Sequence, residues 1–222
     1  MAPTPPFNRQ ELDAALRTVR QAVPPTPQYR WPLLAERYGC EVWVKHENHT
    51  PTGAFKVRGG LTYLEQLAEE GLPPGLVTAT RGNHGQSIPF AAARYGVPVT
   101  VVVPEGNSTD KNRAMRGWGA EVLTHGRDFD EARAFANELA GERGLALVPS
   151  FHPALVRGVA TYALELFTTV QHLDTVYVPI GMGSGICAVI GVRDLLGLDT
   201  EVVGVTAAGA PAYAESFRAG QP

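Results

Sequence analysis

Val99-Thr100-Val101-Val102-Val103 is apolar on both of the faces it would present as a strand. Such a strand must be covered by helices on each side, the condition met in parallel sheets. It belongs to a longer run, Val97–Val103, and similar short runs recur on either side of it. They lie at Leu76–Ala79, Ala120–Leu123, Leu145–Val148, Thr175–Ile180 and Glu201–Val205. Between them, helical spacing covers Asn83–Tyr95, Thr109–Trp118, Asp128–Arg143, Pro153–Val170 and Ser184–Leu196. Strands alternating with helices of this length imply βαβ units, so the fold class is α/β with parallel sheets flanked by helices.

Ahead of this alternation, Asn8 and Glu11 have the spacing of a capping box. Leu12, Ala15, Leu16, Val19 and Val23 continue at helical intervals until Pro24, Pro25 and Pro27 stop them. Glu41–Lys45 reads as a strand, Thr50–Gly53 as a turn, and Leu61, Leu64, Leu67 and Ala68 as a helical stripe.

The chain has 222 residues, 44% hydrophobic and 18% charged, with a net charge of -3. No basic excess points to nucleic acid or an anionic membrane as partner. No apolar stretch reaches the length of a bilayer span. The proline-rich start, Met1 to Phe7, lacks the basic and apolar regions of a signal peptide. Cys40 and Cys187 have no metal-ligand spacing and no disulfide framework around them. These features predict a cytoplasmic protein with buried thiols.

Three motifs carry chemistry. In Thr52-Gly53-Ala54-Phe55-Lys56-Val57-Arg58-Gly59-Gly60, a lysine follows a turn and starts a helix among small and apolar neighbours. Desolvation and the positive helix end disfavour its ammonium, and a neutral amine suits Schiff-base chemistry. A surface lysine at a helix start fits the same letters. Thr80-Arg81-Gly82-Asn83-His84-Gly85-Gln86-Ser87 runs from a strand into a helix N-terminus, an anion-binding arrangement with Thr80 and Asn83 as added donors. It also reads as a capped loop with Asn83 as N-cap. Val178-Pro179-Ile180-Gly181-Met182-Gly183-Ser184-Gly185-Ile186 is a glycine loop between strand and helix, able to bring backbone N–H groups and the Ser184 hydroxyl to a phosphate. It is neither a Walker A loop nor a dinucleotide fingerprint.

Taken in order, the three motifs resemble those of the fold-type II pyridoxal 5'-phosphate (PLP) enzymes, the tryptophan synthase β-like group. Within it the sequence is most similar to the threonine/serine dehydratases, from about Val23 to the end. The resemblance implies two lobes. Residues 72–150 would form the smaller, and residues 1–71 with 151–222 the larger, with PLP in the cleft between them. It implies that Lys56 carries PLP and acts as acid and base at Cα, while Phe55 packs beside the cofactor. Asn83 would meet the phenolic oxygen. Thr80, Arg81, Gly82, Asn83 and His84 would surround the substrate, with Thr80, Asn83 and His84 on its carboxylate. Gly181, Met182, Gly183, Ser184 and Gly185 would cradle the phosphate, Met182 through its backbone alone.

The implied reaction is β-elimination of water from L-threonine or L-serine, giving a 2-oxo acid and ammonia. A small amino acid is the expected partner, and a homo-oligomer, a dimer, the expected assembly. Arg81 stands where the family's racemases carry a serine base, which argues for elimination over racemisation because arginine stays protonated. Thr206, with Ala210 and Ala212, replaces the metal-binding carboxylate of other members, so no metal is expected. Relative to the family, roughly a third of the usual catalytic domain is absent after Gln221-Pro222, including the group that meets the pyridine nitrogen. The larger lobe is therefore expected to be incomplete and the chain weak in catalysis. A related lyase acting on 3-hydroxyaspartate and an inactive, truncated PLP-binding remnant are the rival readings.

Outside the motifs, His46 and His49 are read as turn residues, and His125, His152 and His172 as plain polar residues. Arg127, Asp128, Asp130, Glu131 and Arg133 are read as a solvated helix face, and Trp31, Trp43 and Trp118 as packing residues. Arg157 is a position that could line the cofactor side of its helix.

Overall fold

A computed structural model describes residues 6–221. The first helix, α1 (Arg9–Arg20), begins with the expected capping box: Asn8 accepts from the Glu11 amide, and the Glu11 carboxylate accepts from the Asn8 amide. Its Leu12, Ala15 and Val19 are buried. Two short elements follow that the sequence did not announce, β1 (Gln28–Arg30) and α2 (Pro32–Tyr38). β1 pairs antiparallel with β2 (Trp43–Lys45). Three residues between prolines show no periodicity, and α2 buries no residue, so it has no apolar stripe to read. It starts on Pro32 and closes at Gly39, whose φ of 70° suits glycine.

The remaining elements are α3 (Lys56–Glu70), β3 (Leu76–Ala79), α4 (Asn83–Ala92), β4 (Val99–Val103), α5 (Thr109–Gly117), β5 (Glu121–Thr124), α6 (Phe129–Arg143) and β6 (Ala146–Leu147). After them come α7 (Pro153–Thr169), β7 (Thr175–Pro179), α8 (Ser184–Leu195), β8 (Glu201–Val205) and α9 (Ala212–Ala219). The expected α/β class holds. Four parallel strands lie in the order β5-β4-β3-β6, and β7 pairs in parallel with β8.

The two-sided burial read from Val99–Val103 is realised residue by residue. Val99, Val101 and Val103 enter a core with α3 and α4, while Val102 enters one with Ala132, Ala136 and Leu139 of α6. Each fully buried valine contributes roughly 1.5–3 kcal/mol. A further core joins α7 and α8 with Leu12 of α1 and Val178 of β7.

Helix α3 is held by close backbone contact on two sides. A Cβ on Gly158 of α7 would stand 2.1 Å from the Arg58 carbonyl oxygen, and one on Gly59 would stand 2.6 Å from the Leu155 carbonyl oxygen. Against α4, a Cβ on Gly60 would stand 2.3 Å from Ser87 Oγ. Only hydrogen fits at these three positions, so the helix that starts at Lys56 is fixed against both neighbours.

Several side chains depart from expectation. Trp31 packs at the surface, 42% exposed, with ring centroids 6.5 Å from Tyr29 and 5.8 Å from His46, and its Nε1 donates to His46 Nε2 at 3.3 Å. Trp118 also packs, edge to face on Phe90 with centroids 4.9 Å apart. His152 has a specific role: its Nδ1 accepts from the Ala154 amide and caps α7. Asp128 caps α6 in the same way. Arg157 turns to Gln66 at 2.7 Å and Glu11 at 3.5 Å, which ties α7 to α3 and α1. No helix among the described residues is long and apolar enough to cross a membrane.

Candidate active site

Lys56 is the first residue of α3, and Ser184 is the first residue of α8, after Gly183 with φ 92°. The Lys56 Nζ donates to Ser184 Oγ at 2.7 Å. Two motifs separated by 128 residues thus meet at one hydrogen bond. Among the described residues no carboxylate lies within salt-bridge reach of this amine. Burial lowers its pKa to about 8, since a desolvated ammonium is disfavoured. The Phe55 ring lies 5.8 Å from Nζ, and its centroid is 5.7 Å from that of Tyr162. Tyr162 donates to the Gly185 carbonyl at 3.4 Å, and a Cβ on Gly185 would stand 3.3 Å from the Phe55 ring. Phe55, Lys56, Gly183, Ser184 and Gly185 therefore form one cluster. Gly181 and Met182, by contrast, are exposed.

The Thr80–Ser87 loop reaches the same place through α4. Ser87 Oγ donates to the Lys56 carbonyl at 2.6 Å. His84 is buried with no hydrogen-bond partner on either ring nitrogen. Burial, and after it the charge of Lys56, lowers its pKa to about 3. Thr80 Oγ1 accepts from the Gly82 amide at 3.0 Å and shapes the turn. The N-cap of α4 is Gly82, not Asn83, which is the first helical residue and is exposed. The capped-loop reading of Asn83 is thereby overturned, because its side chain accepts no backbone N–H of the first turn. Arg81 is exposed as well.

Two features escaped the sequence reading. A Cβ on Gly82 would stand 2.9 Å from the Lys111 Nζ, so a second cation leans over this loop from α5. Behind Lys56, Arg58 is fully buried and bonds Glu47 at 2.8 and 3.0 Å, Glu165 at 2.8 Å and Thr161 at 3.0 Å. Glu165 also takes Lys45 at 2.6 Å and Arg20 at 3.1 Å. The partners come from distant segments and share no motif, so sequence spacing held no signal for them.

The donor set suits a phosphorylated aldehyde. A buried amine without a counter-ion stands beside the glycine-rich N-terminus of α8, whose first-turn N–H groups lack helical acceptors. The two orphan nitrogens of His84 lie at the N-terminus of α4 and await a polar ligand.

Comparison with known proteins gives the fold and the family. The structure matches the processed form of threonine deaminase isoform 2 from Solanum lycopersicum with a TM-score of 0.84 and 27% identity, over 99% of this chain and 66% of that one. The fold is therefore that of the fold-type II PLP enzymes. The family described as pyridoxal-phosphate dependent enzymes matches residues 19–222, and the chain belongs to it. Among curated proteins it is 38% identical to the biosynthetic L-threonine dehydratase of Salmonella typhimurium, over 98% of this chain and 43% of that protein. It is 35% identical to the L-threo-3-hydroxyaspartate ammonia-lyase of Saccharomyces cerevisiae, over 78% of this chain and 53% of that protein. The chain thus spans about half, or less, of the curated relatives it matches.

Proposed function

We propose that the chain catalyses β-elimination of water from L-threonine and L-serine, giving a 2-oxo acid and ammonia. The observation that carries this reading is the Lys56 amine, half-buried beside Ser184 with no carboxylate among the described residues to hold it as an ammonium. The chemistry pyridoxal phosphate supplies when bound is an aldehyde for amines and a ring that withdraws electrons from Cα. Lys56 would hold it, with Phe55 packed alongside and Gly181, Met182, Gly183, Ser184 and Gly185 on the phosphate.

The chain's own residues do the rest. The Lys56 Nζ would take the proton from the substrate Cα. Thr80, Asn83 and His84, with Gly82 and the α4 N-terminus, bind the substrate carboxylate and set the Cα–H bond toward Lys56. Neutral His84 serves there as a hydrogen-bond donor, not as a charge. Asn83 would also meet the cofactor's phenolic oxygen. Arg81 keeps its proton, so it offers no base for returning a proton to the opposite face of Cα. The relatives named threonine dehydratase and threonine deaminase support the same reaction.

Two lobes accompany this reading, residues 72–150 and residues 1–71 with 151–222. The four-stranded sheet falls wholly inside the first range, and β7 and β8 inside the second. The buried thiols expected from the sequence are not found, since Cys40 is exposed and Cys187 only half-buried, but both are free, which accords with a cytoplasmic enzyme. Exposed Phe217, Tyr177 and Tyr213 accord with a homo-oligomer, a dimer.

A second reading has one observation in its favour. Arg81 is exposed, and Lys111 leans over the adjacent Gly82, so two cations stand where a second substrate carboxylate would reach. The substrate would then be 3-hydroxyaspartate. To separate the two, PLP-loaded protein is assayed with L-threonine, L-serine and 3-hydroxyaspartate for oxo acid and for D-enantiomers. We expect oxo acid from threonine and serine and negligible D-serine. Substantial D-serine would overturn the elimination reading. A 3-hydroxyaspartate rate untouched by Arg81→Ala would remove the second.

A further inference from the structure

We propose that Ser184 is a positioning residue for the Lys56 ε-amine itself, holding that amine in place whenever it is free to move a proton. This deepens the functional reading and rests on Lys56 being the cofactor lysine. The phosphate role expected of the glycine loop drew on its backbone N–H groups and on the Ser184 hydroxyl, and a glycine at position 184 would keep the N–H groups. The Ser184 hydroxyl sits 2.7 Å from Nζ and is 1% exposed.

The surroundings leave Ser184 as the amine's partner. Of the elements packed near Lys56, α4 contributes His84, which is uncharged at neutral pH and makes no hydrogen bond. From α7, Tyr162 is spent on the Gly185 carbonyl, and Glu165 is spent on Arg58 and Lys45. From α3 itself, Arg58 points into its own carboxylates. A hydroxyl suits both states of the amine, because it accepts from an ammonium and donates to a neutral nitrogen. Both partners sit on the first residue of a helix, and each helix is fixed in the fold. A lysine chain with four rotatable bonds is thereby given one resting position at the reaction centre.

The ammonium form loses more than the neutral form when the hydroxyl is removed, because bonds to charged groups are the stronger ones. Loss of Ser184 should therefore move the Lys56 titration to lower pH by about one unit or more. The test uses the full chain freed of PLP. Limiting acetic anhydride is applied over a range of pH, and acetylation of Lys56 is followed by peptide mass spectrometry. Lys111 serves as internal standard.

Ser184→Ala and Ser184→Gly should shift the Lys56 midpoint down and raise its labelling at acidic pH about tenfold. Ser184→Thr, which restores a hydroxyl, should keep the parent midpoint. Circular dichroism identifies any variant that fails to fold, and the remaining hydroxyl-free variant then carries the comparison. An unchanged midpoint in the folded hydroxyl-free variants, with weaker PLP binding as the sole effect, would assign Ser184 to the phosphate and overturn the proposal. A Thr variant that shifts as Ala does would also overturn it. Because turnover is never measured, the result is independent of which substrate the enzyme takes. Should Lys56 prove not to bind PLP at all, borohydride mapping would reveal that separately.

Discussion

At the residue scale, three lysines stand in or near the site, and their settings decide which one reacts. Lys45 is tied to Glu165 at 2.6 Å and to the Thr26 carbonyl at 2.9 Å. Lys111 is exposed. Burial lowers the pKa of Lys45 as well, but Lys56 alone of the three is held away from water by a neutral partner with no carboxylate, and its pKa falls to about 8. Added PLP should therefore give an absorption band at the edge of the visible in the parent chain and none in Lys56→Ala. Borohydride reduction followed by peptide mapping should place the adduct on Lys56. An adduct on Lys45 or Lys111 would refute the assignment. His84 completes the contrast: kept neutral by burial, it can donate one hydrogen bond and accept another without competing for the proton that Lys56 moves.

At the element scale, the Arg58 network joins α3 and α7 to β2 and the turn that follows it. Burial raises the Glu165 pKa, but the bonds and charges of Arg58 and Lys45 outweigh it and hold the carboxyl below its ordinary 4.5. A depressed folded-state value means that its stabilisation is fully present above 4.5 and fades as pH falls through the folded value. Glu165→Gln leaves buried Lys45 without a carboxylate and Arg58 with Glu47 as its remaining counter-ion, and should cost about 3–5 kcal/mol at pH 7. Urea unfolding of both proteins should show that difference shrinking in acid. A difference constant from neutral to strongly acidic pH would show that the charge of Glu165 does not matter. None of this network was legible in the sequence, because Glu47, Arg58 and Glu165 become neighbours only after folding. The local features were legible. β3 and β8 have the residues read for them, and all three motifs mark helix starts, since strand, glycine turn and helix are encoded within a few neighbours. β1 and α2 were not legible, being too short for periodicity and stabilised by pairing with β2 and by end residues instead.

At the scale of the whole molecule, the β7–β8 pair is covered on one side only. Val176, Val178 and Val202 turn toward α8, while the register places Tyr177, Pro179, Val203 and Val205 on the opposite face. Tyr177 is 70% exposed there, and Phe217 of the neighbouring α9 is 89% exposed. Exposed apolar surface on a short sheet with unpaired edges favours association. Light scattering on the chain alone should show an apparent mass that rises with concentration, and Tyr177→Lys with Phe217→Lys should lower it. A monomer at all concentrations in the parent chain would count against this account.

Lys56 and Arg58 are two positions apart on one helix, so they leave it on nearly opposite sides. One cation is given two carboxylates and the other none. The interior thus acts as a sink for negative charge: Glu47 and Glu165, being bound to Arg58, are withheld from the reactive amine. Changing Arg58 would do more than loosen the fold. It would leave Glu47 without its guanidinium partner, while Glu165 kept Lys45 and Arg20. The amine's freedom from a counter-ion is thus set by the side of the helix from which each cation leaves.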